Sequence, residues 1–384
     1  MTIGIVMNVY DETDTLRKAL KSIQNVGYDE LHTCLSSDSR ETEDICKEFG
    51  AVLHRVPDSC FYTNSAGNRR YSFGDGRNYA RSVCKTDWTM YLDADDILVG
   101  GDRIRACLDE NKGANVVKMN YQFSFADDEM TIPNCVVTIY RIAKKGKWVG
   151  RQHEHMVADE PMVFIPDAVV KHDHKFRREE KFKRNLEDCI EQYDEIRSHQ
   201  NAQKLGMSYF DCGDYKNALI YLKRYLRADM PAGWRFRTLI KIGDAYFSIK
   251  EYEKAFNFYT QASEHCPDDG LWAFRIGGLY GHVGDYDKGV EYTCKGFSLK
   301  TPMNDTFPWN PEEYGYQPAM NLYKFTYESG RVLEAYMLLA GEIIPKWNRP
   351  RDKELQKRLW NQHSTHIAQA AAEKSLVNAM PQTD

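Results

Sequence analysis

No stretch of the 384-residue sequence approaches the roughly 18 consecutive apolar residues that a membrane-spanning helix needs. None of its ten cysteines forms a Cys-x-x-Cys pair. Their even scatter is the pattern of reduced, mostly buried thiols, so a cytoplasmic protein is expected. Net charge is also scarce, at a formal −5. That argues against a surface built as a whole for nucleic acid and leaves a local basic face open. The apolar start, Met1 to Val9, lacks a basic region and a small-residue cleavage site and runs straight into Asp11 and Glu12. It is expected to be a core strand, not a signal peptide. With 42% hydrophobic and 28% charged residues the chain is not disordered. At about 100–200 residues per domain it holds two or three domains. The 24 tyrosines point to aromatic-rich helix packing.

Two textures follow one another. Up to about residue 175, short apolar runs (Thr2–Asn8, Leu31–Leu35, Val52–Arg55, Trp88–Leu92) alternate with amphipathic segments (Thr13–Ile23, Arg40–Phe49, Asp75–Cys84). This β-α rhythm predicts a parallel sheet with crossover helices and a ligand site off the carboxyl ends of the strands. From 176 the strand pattern stops. Gly213-Asp214-Tyr215-x-x-Ala218, Lys250-Glu251-Tyr252-x-x-Ala255 and Gly284-Asp285-Tyr286-x-x-Gly289 then resemble one another, with tyrosines 37 and 34 residues apart. A period near 34 in a helix-turn-helix pattern is the tetratricopeptide signature, and small residues (Gly206, Gly243, Ala245, Gly277, Gly278) precede each turn. Pro302, Pro308, Pro311 and Pro318 predict a loop over 301–318. A degenerate fourth repeat, Gly330-Arg331-x-Leu333-x-Ala335, follows, and the Ala-rich tail from about 365 is expected to fray. The expected architecture is α/β followed by an all-α solenoid, divided as 1–175, 176–300 and 301–384.

The densest chemistry lies in Trp88-Thr89-Met90-Tyr91-Leu92-Asp93-Ala94-Asp95-Asp96, an apolar strand ending in three carboxylates. Alternation puts Asp93 and Asp95 on one face. Clustered carboxylates need a cation or donors to relieve their repulsion, and oxygen ligands at a strand end suit Mg²⁺ or Mn²⁺ bound with a substrate diphosphate. Four of the 11 histidines fall between 153 and 174, as His153-Glu154-His155 and His172-Asp173-His174. On a strand, spacing i, i+2 puts each pair on one face.

In order along the chain, Asn8-Val9-Tyr10-Asp11-Glu12, Phe73-Gly74-Asp75-Gly76-Arg77-Asn78-Tyr79-Ala80, Asp93-Ala94-Asp95, and Tyr140-Arg141 leading to Trp148-Val149-Gly150-Arg151-Gln152-His153-Glu154 resemble the landmarks of a GT-A glycosyltransferase of the family-2 type. The last stretch resembles that of family-2 enzymes fused to a tetratricopeptide domain, an architecture shared by the bacteriocin S-glycosyltransferases. The resemblance covers roughly residues 1–300. It implies a GT-A (Rossmann-like) catalytic domain and a nucleotide-diphosphate sugar donor, a UDP-sugar first. Asn8, Tyr10, Glu12, Asp38, Arg77, Asn78 and Asp93 would bind that donor. Asp95 and Asp93 would hold the metal, completed by His172 or, second, His174. The family's Asp at the end of the second strand is replaced here by Leu35 or Ser36, with Asp38 displaced by two or three residues. Either Asp38 substitutes for it or the base is held differently.

The implied reaction is inverting glycosyl transfer. The metal and Arg77 neutralise the leaving diphosphate, and a base takes the acceptor's proton. Glu154 is the first candidate base, His153 the second and Asp96 the third. Trp148 and Arg151 lie on the acceptor side, Trp148 either stacking on a sugar or buried. Lys175, Arg177 and Arg178, with Lys223, Arg224, Arg227, Arg235 and Arg237 further on, suggest a basic edge for a phosphate-bearing acceptor such as hydroxymethylated DNA, or a lipid-linked or lipopolysaccharide glycan. A solvated helix face is the plainer reading. Repeats of this kind also hold peptides, so a polypeptide acceptor stays open. Two other readings stand beside the transferase. One is an inactive tetratricopeptide adaptor. The other is a zinc hydrolase on His153, His155, His172 and a carboxylate.

Overall fold

The computed structural model describes residues 1–11, 13–65, 67–125, 133–151, 154–172, 178–299, 310–347 and 349–379. These fall into two compact units, one over Met1–Asp229 and one from Met230 onward.

The first unit is built on twelve strands: β1 (Ile3–Val9), β2 (Glu30–Leu35), β3 (Val52–Arg55), β4 (Phe61–Thr63), β5 (Arg69–Tyr71), β6 (Trp88–Asp93), β7 (Asp96–Val99), β8 (Val116–Phe125), β9 (Pro133–Ala143), β10 (Lys147–Val149), β11 (His155–Val157) and β12 (Met162–His172). Eight of them form one sheet in the order β3-β2-β1-β6-β9-β8-β12-β7; β4 pairs with β5 and β10 with β11 as separate hairpins. β1 reads Ile-Gly-Ile-Val-Met-Asn-Val and is buried along almost its whole length, as a strand covered on both faces must be. It pairs in parallel with β2 and β6, and β2 pairs in parallel with β3. The predicted parallel sheet is therefore correct for this half only. β9 runs antiparallel to both β6 and β8, and β7 antiparallel to β12, so the sheet is mixed.

One connection shapes the site. β6 and β7 are separated by Ala94 and Asp95 alone, yet β7 lies at the far edge of the sheet beside β12. The three peptide units from Asp93 to Asp96 reach at most about 11 Å. The sheet must therefore curl until its β12–β7 edge meets the end of β6. This brings Asp96 and its cross-strand partner His172 to the end of the strand carrying Asp93.

Four helices pack on the sheet: α1 (Thr13–Ser22), α2 (Arg40–Glu48), α3 (Phe73–Val83) and α4 (Asp102–Glu110). α1 buries Leu16, Ala19 and Leu20 against Ile5, Met7 and Met90 of the main core. The Ser39 side chain caps α2 by accepting from the Thr42 N–H. The unit continues through α5 (Arg178–Glu195), α6 (His199–Asp211) and α7 (Tyr215–Tyr225). α5 is fastened to the β4–β5 hairpin and the loop before β11. Tyr62 Oη donates to Asp188 Oδ1 at 3.1 Å, Arg70 pairs with Glu187 at 3.3 Å and Arg151 pairs with Glu195 at 2.7 Å.

The second unit comprises α8 (Ala232–Ser248), α9 (Tyr252–His265), α10 (Leu271–His282), α11 (Tyr286–Ser298), α12 (Pro311–Tyr314), α13 (Tyr316–Glu328), α14 (Val332–Met337), a π-helical stretch over Leu338–Ile343, α15 (Ile344–Trp347) and α16 (Pro350–Ala379). The repeated tripeptides mark the turn between paired helices. Gly213, Lys250, Gly284 and Gly330 all sit in the left-handed region, at φ 78°, 65°, 88° and 85°. Asp214 and Asp285 then cap the following helix by accepting from the N–H of Asn217 and Lys288. Close approach explains the small residues: a Cβ on Gly243 would stand 2.4 Å from the Tyr259 ring. The C-terminal expectations need correcting. Pro311 opens α12, where its missing N–H costs nothing, and Pro318 sits in the first turn of α13, so helix resumes inside the predicted loop. α16 continues as helix through the Ala-rich tail to Ala379, as the helix propensity of alanine favours. Residues 300–309 lie outside the described ones. No described helix is long and apolar enough to cross a membrane, and the nine cysteines with described side chains are free thiols.

Lys250 is the one described non-glycine residue with positive φ. Lys250→Gly is expected to stabilise the second unit by about 0.5–1 kcal/mol, and Gly284→Ala to destabilise it similarly. Urea unfolding of the two full-length variants reads both signs.

Candidate functional site

The site begins with a guanidinium. Arg77 lies on the first turns of α3 and is 4% exposed. Its Nη1 and Nη2 donate to Oδ1 and Oδ2 of Asp93 at 2.8 and 3.0 Å, a bidentate pair, and its Nε donates to Glu154 Oε1 at 2.8 Å. α3 is fixed against the loop that leads to Glu154 by three contacts. The Asn78 amide donates to the Trp148 carbonyl and accepts from the Trp148 N–H, both at 2.9 Å, and the Phe73 N–H donates to the Arg151 carbonyl. Gly74 permits this approach, since a Cβ there would meet the Gly150 carbonyl oxygen at 2.4 Å.

A second guanidinium stands behind the first. Arg141, on β9 and 4% exposed, reaches Asp93 Oδ2 at 3.4 Å and Asp96 Oδ2 at 3.2 Å through Nη2, while its Nε and Nη1 are buried without a hydrogen bond. Asp96 is wholly buried. It accepts from the Asp93 N–H at 3.0 Å and from Tyr121 Oη at 3.1 Å, and faces His172 Nδ1 at 2.9 Å. His172 Nδ1 also lies 3.4 Å from Asp95 Oδ1. Asp95, Asp96 and His172 present ligand atoms within 4.8 Å of one another.

Burial alone raises the Asp93 carboxyl, but Arg77 and Arg141 overcome it and hold the group well below the usual carboxylate range. Burial lowers His172, yet the bond to Asp96 and the charges of Asp96, Asp95 and Asp93 leave it raised overall. Burial pushes the Tyr121 phenol far up, and Asp96 adds to it, so the phenol stays a donor. Two guanidinium groups thus face four carboxylates (Asp93, Asp95, Asp96, Glu154). The imbalance, together with a mixed carboxylate–imidazole donor set, fits a divalent cation.

The sequence-predicted residues separate into three groups. Asn8, Asp93, Asp95, Asp96, Arg77, Glu154 and His172 are drawn to one end of the sheet; Asn8 is in register with Asp93, and its Oδ1 is buried without a partner. Others are placed where the expected role does not fit. Asp96, the third candidate base, has no exposed surface for an acceptor. Arg77, expected on the diphosphate, gives three of its five N–H donors to Asp93 and Glu154. Asn78, expected on the donor, clamps Trp148. Trp148 is 7% exposed and packs edge-on against Tyr91, so it is core rather than a sugar platform. Arg151 is engaged by Glu195 and stacks over Tyr62. Asp38 is fully exposed and pairs with Arg55 at 3.1 Å. Tyr10 is 63% exposed, on a loop that the Ser37 hydroxyl joins to the end of β2. Of the distant basic residues, Arg237 is a buried partner of Asp269 rather than part of an edge. Glu12, His153, His174, Lys175 and Arg177 lie outside the described residues, as does the side chain of Arg178; His153 is the member of the zinc reading among them. Sequence reasoning missed Tyr121, the site role of Arg141, and Lys204 on α6. Burial lowers the Lys204 ammonium, against the pull of Cys189 and Glu154. A charged residue inside the apolar run Ile139-Tyr140-Arg141-Ile142-Ala143 was the available signal for Arg141.

Residues 4–117 match the family model of glycosyl transferase family 2, and residues 200–229 and 236–269 match the tetratricopeptide repeat. No curated protein matches the chain. Solved structures similar to it include MamA, at 19% identity over 41% of this chain and 85% of that one with a TM-score of 0.34. A second is TTC0263, a thermophilic TPR protein in Thermus thermophilus, at 14% identity over 47% and 91% with a TM-score of 0.36. A third is the APC/C hetero-tetramer Cut9-Hcn1, at 11% over 49% and 34% with a TM-score of 0.39. At these scores the likeness is loose.

Arg77→Met leaves Glu154 without its guanidinium partner and Asp93 with Arg141 alone, and a loss of about 3–5 kcal/mol in chemical denaturation is expected. Arg77→Lys should recover little of it, because an ammonium cannot reproduce the fork. Asp93 has a depressed folded pKa. Its contribution is therefore full above the unfolded value, about pH 4, and is lost as pH falls toward the folded one. Acid unfolding of Asp93→Asn should accordingly be flatter below pH 4 than that of the parent.

Proposed function

We propose that this chain, which joins a family-2 glycosyltransferase domain to tetratricopeptide repeats, transfers a sugar from a nucleotide-diphosphate donor to an acceptor hydroxyl or thiol with inversion, using Mn²⁺ or Mg²⁺. The observation that carries the reading is the Asp95–Asp96–His172 cluster at the carboxyl ends of β6 and β12, beside a buried Arg–Asp–Glu system. Asp95 and His172, with Asp96 orienting the imidazole, are the residues that would hold the cation. When bound, the cation supplies positive charge to the leaving diphosphate.

The chain's own groups do the rest. Arg77 holds Asp93 ionised and sets the orientation of Glu154. Glu154, 14% exposed at its side chain, takes the proton of the acceptor O–H or S–H. The lone pair so released bonds to the anomeric carbon as the carbon–oxygen bond to the diphosphate breaks, and the nucleotide diphosphate departs with that electron pair. The orphaned Oδ1 of Asn8 is an acceptor for a donor hydroxyl or amide at the strand end. A UDP-sugar is the first donor to test, although the exposed Asp38 gives no support to carboxylate recognition of the base. For the acceptor, the repeats favour a polypeptide, and the buried pairing of Arg237 weakens a phosphate-binding edge.

A thermal-shift screen of nucleotide diphosphates and nucleotide sugars, with and without Mn²⁺, tests the reading. One nucleotide is expected to raise Tm only with the metal, and Asp95→Asn to remove that coupling. Glu154→Gln should keep the coupled shift and lose about 10²–10⁴-fold in turnover. No metal-coupled shift with any nucleotide would turn the reading toward an inactive adaptor.

A further inference from the structure

A second polar cluster lies away from the carboxyl end of the sheet. Glu30 opens β2 and His32 follows two residues on, so both side chains share a face. In the parallel register Glu30 is level with Gly4 of β1, whereas the site described above is level with Asn8. The four residue steps from Gly4 to Asn8 amount to about 13 Å along the strands. Cys84 ends α3 and turns its thiol into the same space, 1% exposed. Room for the sulfur exists because residue 4 is glycine: a Cβ there would stand 2.2 Å from Cys84 Sγ.

His32 Nε2 lies 2.9 Å from Glu30 Oε2, and His32 Nδ1 lies 3.0 Å from Nε2 of His54 on β3. His32 is 7% exposed. With Nδ1 paired to His54, the ring turns Nε2 toward Glu30 and Cys84. This arrangement is typical of a metal-binding histidine, one nitrogen held by a neighbour and the other aimed at the ion. Glu30 Oε2, His32 Nε2 and Cys84 Sγ form a group whose ligand atoms all fall within 4.8 Å. A tetrahedral zinc with bonds of about 2.0–2.3 Å asks for ligand atoms roughly 3.3–3.8 Å apart, which small side-chain rotations supply.

We propose that Glu30, His32 and Cys84 form a thiolate-containing site for Zn²⁺ or a similarly soft divalent ion, separate from the carboxylate–imidazole cluster at the other end of the strands. The ion binds with loss of the Cys84 thiol proton to solvent and replaces the contact between His32 Nε2 and Glu30. His54 keeps the His32 ring in place, and water completes the shell beside partly exposed Glu30. The two clusters select different ions, since sulfur favours zinc and an oxygen-rich set favours Mg²⁺ or Mn²⁺. The site is also coupled to the other by one element. Cys84 lies seven residues beyond Arg77, about two turns along α3 and its C-cap. An ion on Cys84 therefore braces the far end of the helix that positions Arg77. The proposal does not depend on the transferase reading.

Cobalt titration of the metal-stripped full-length chain, without nucleotide, is the test. Co²⁺ is expected to give a thiolate-to-cobalt charge-transfer absorption that saturates at about one equivalent and is reversed by Zn²⁺. Cys84→Ser should abolish the band and Asp95→Asn should leave it. Absence of the band in the parent, or its persistence in Cys84→Ser, would overturn the site. Should Cys84→Ser fail to fold, X-ray absorption of the zinc-loaded parent decides: sulfur in the zinc shell supports the site, and nitrogen and oxygen alone refute it.

Discussion

The buried Arg77 guanidinium, divided between Asp93 and Glu154, is the constraint on which the arrangement of the site depends. It joins three pieces of chain that are distant in sequence: the start of α3, the end of β6 and the loop entering β11. A fork with five donors can satisfy two carboxylates at fixed angles, and burial makes loss of any partner expensive. The neighbouring contacts follow from it. Asn78 clamps the Trp148 backbone, Gly74 lets the Gly150 carbonyl approach, and Trp148 fills the space behind the pair. Residues that look in the sequence like a donor-binding set thus serve in large part to hold one another.

The same pairing divides the four acids by task. Asp93 is committed to two arginines, and Asp96 is sealed among Arg141, Tyr121 and His172. Exposure does not set the remaining two apart, since Asp93, Asp95 and Glu154 are 22%, 18% and 14% exposed at the side chain; the difference is that both Asp93 oxygens are bonded by arginine. Position in the curled sheet, more than residue type, decides which partners each carboxylate meets.

Much of this is legible in the amino-acid sequence alone. The β-α alternation up to Leu92 comes from local apolar patterning, and the turn tripeptides come from the left-handed backbone that closes each helix pair. Both are short-range signals. The three acids after Leu92 are also plain, because acids directly after an apolar strand are hard to mistake. The assignments within the cluster are not legible. Which acid faces Arg77, which faces His172 and which stays at the surface depends on β8, β9 and β12 returning across long sequence separations and on the curl forced by Ala94 and Asp95. Tyr121 and Lys204 carry no local mark at all. Trp148 illustrates the opposite error. An aromatic beside a glycine and an arginine suggests a binding platform, yet its ring lies against Tyr91 in the core.

The fastening of α5 to the β4–β5 hairpin has a consequence for modularity. Asp188 is completely buried at its side chain, held by Tyr62, and burial raises its carboxyl. A chain cut where strands give way to helices would strip this lid and leave Tyr62, Arg70 and Arg151 facing water with their partners gone. The natural seam for exchanging the helical array against another lies after Asp229, beyond the first pair of repeat helices. That first pair of repeat helices therefore belongs physically with the sheet, and a transplanted array would have to start from its outer face.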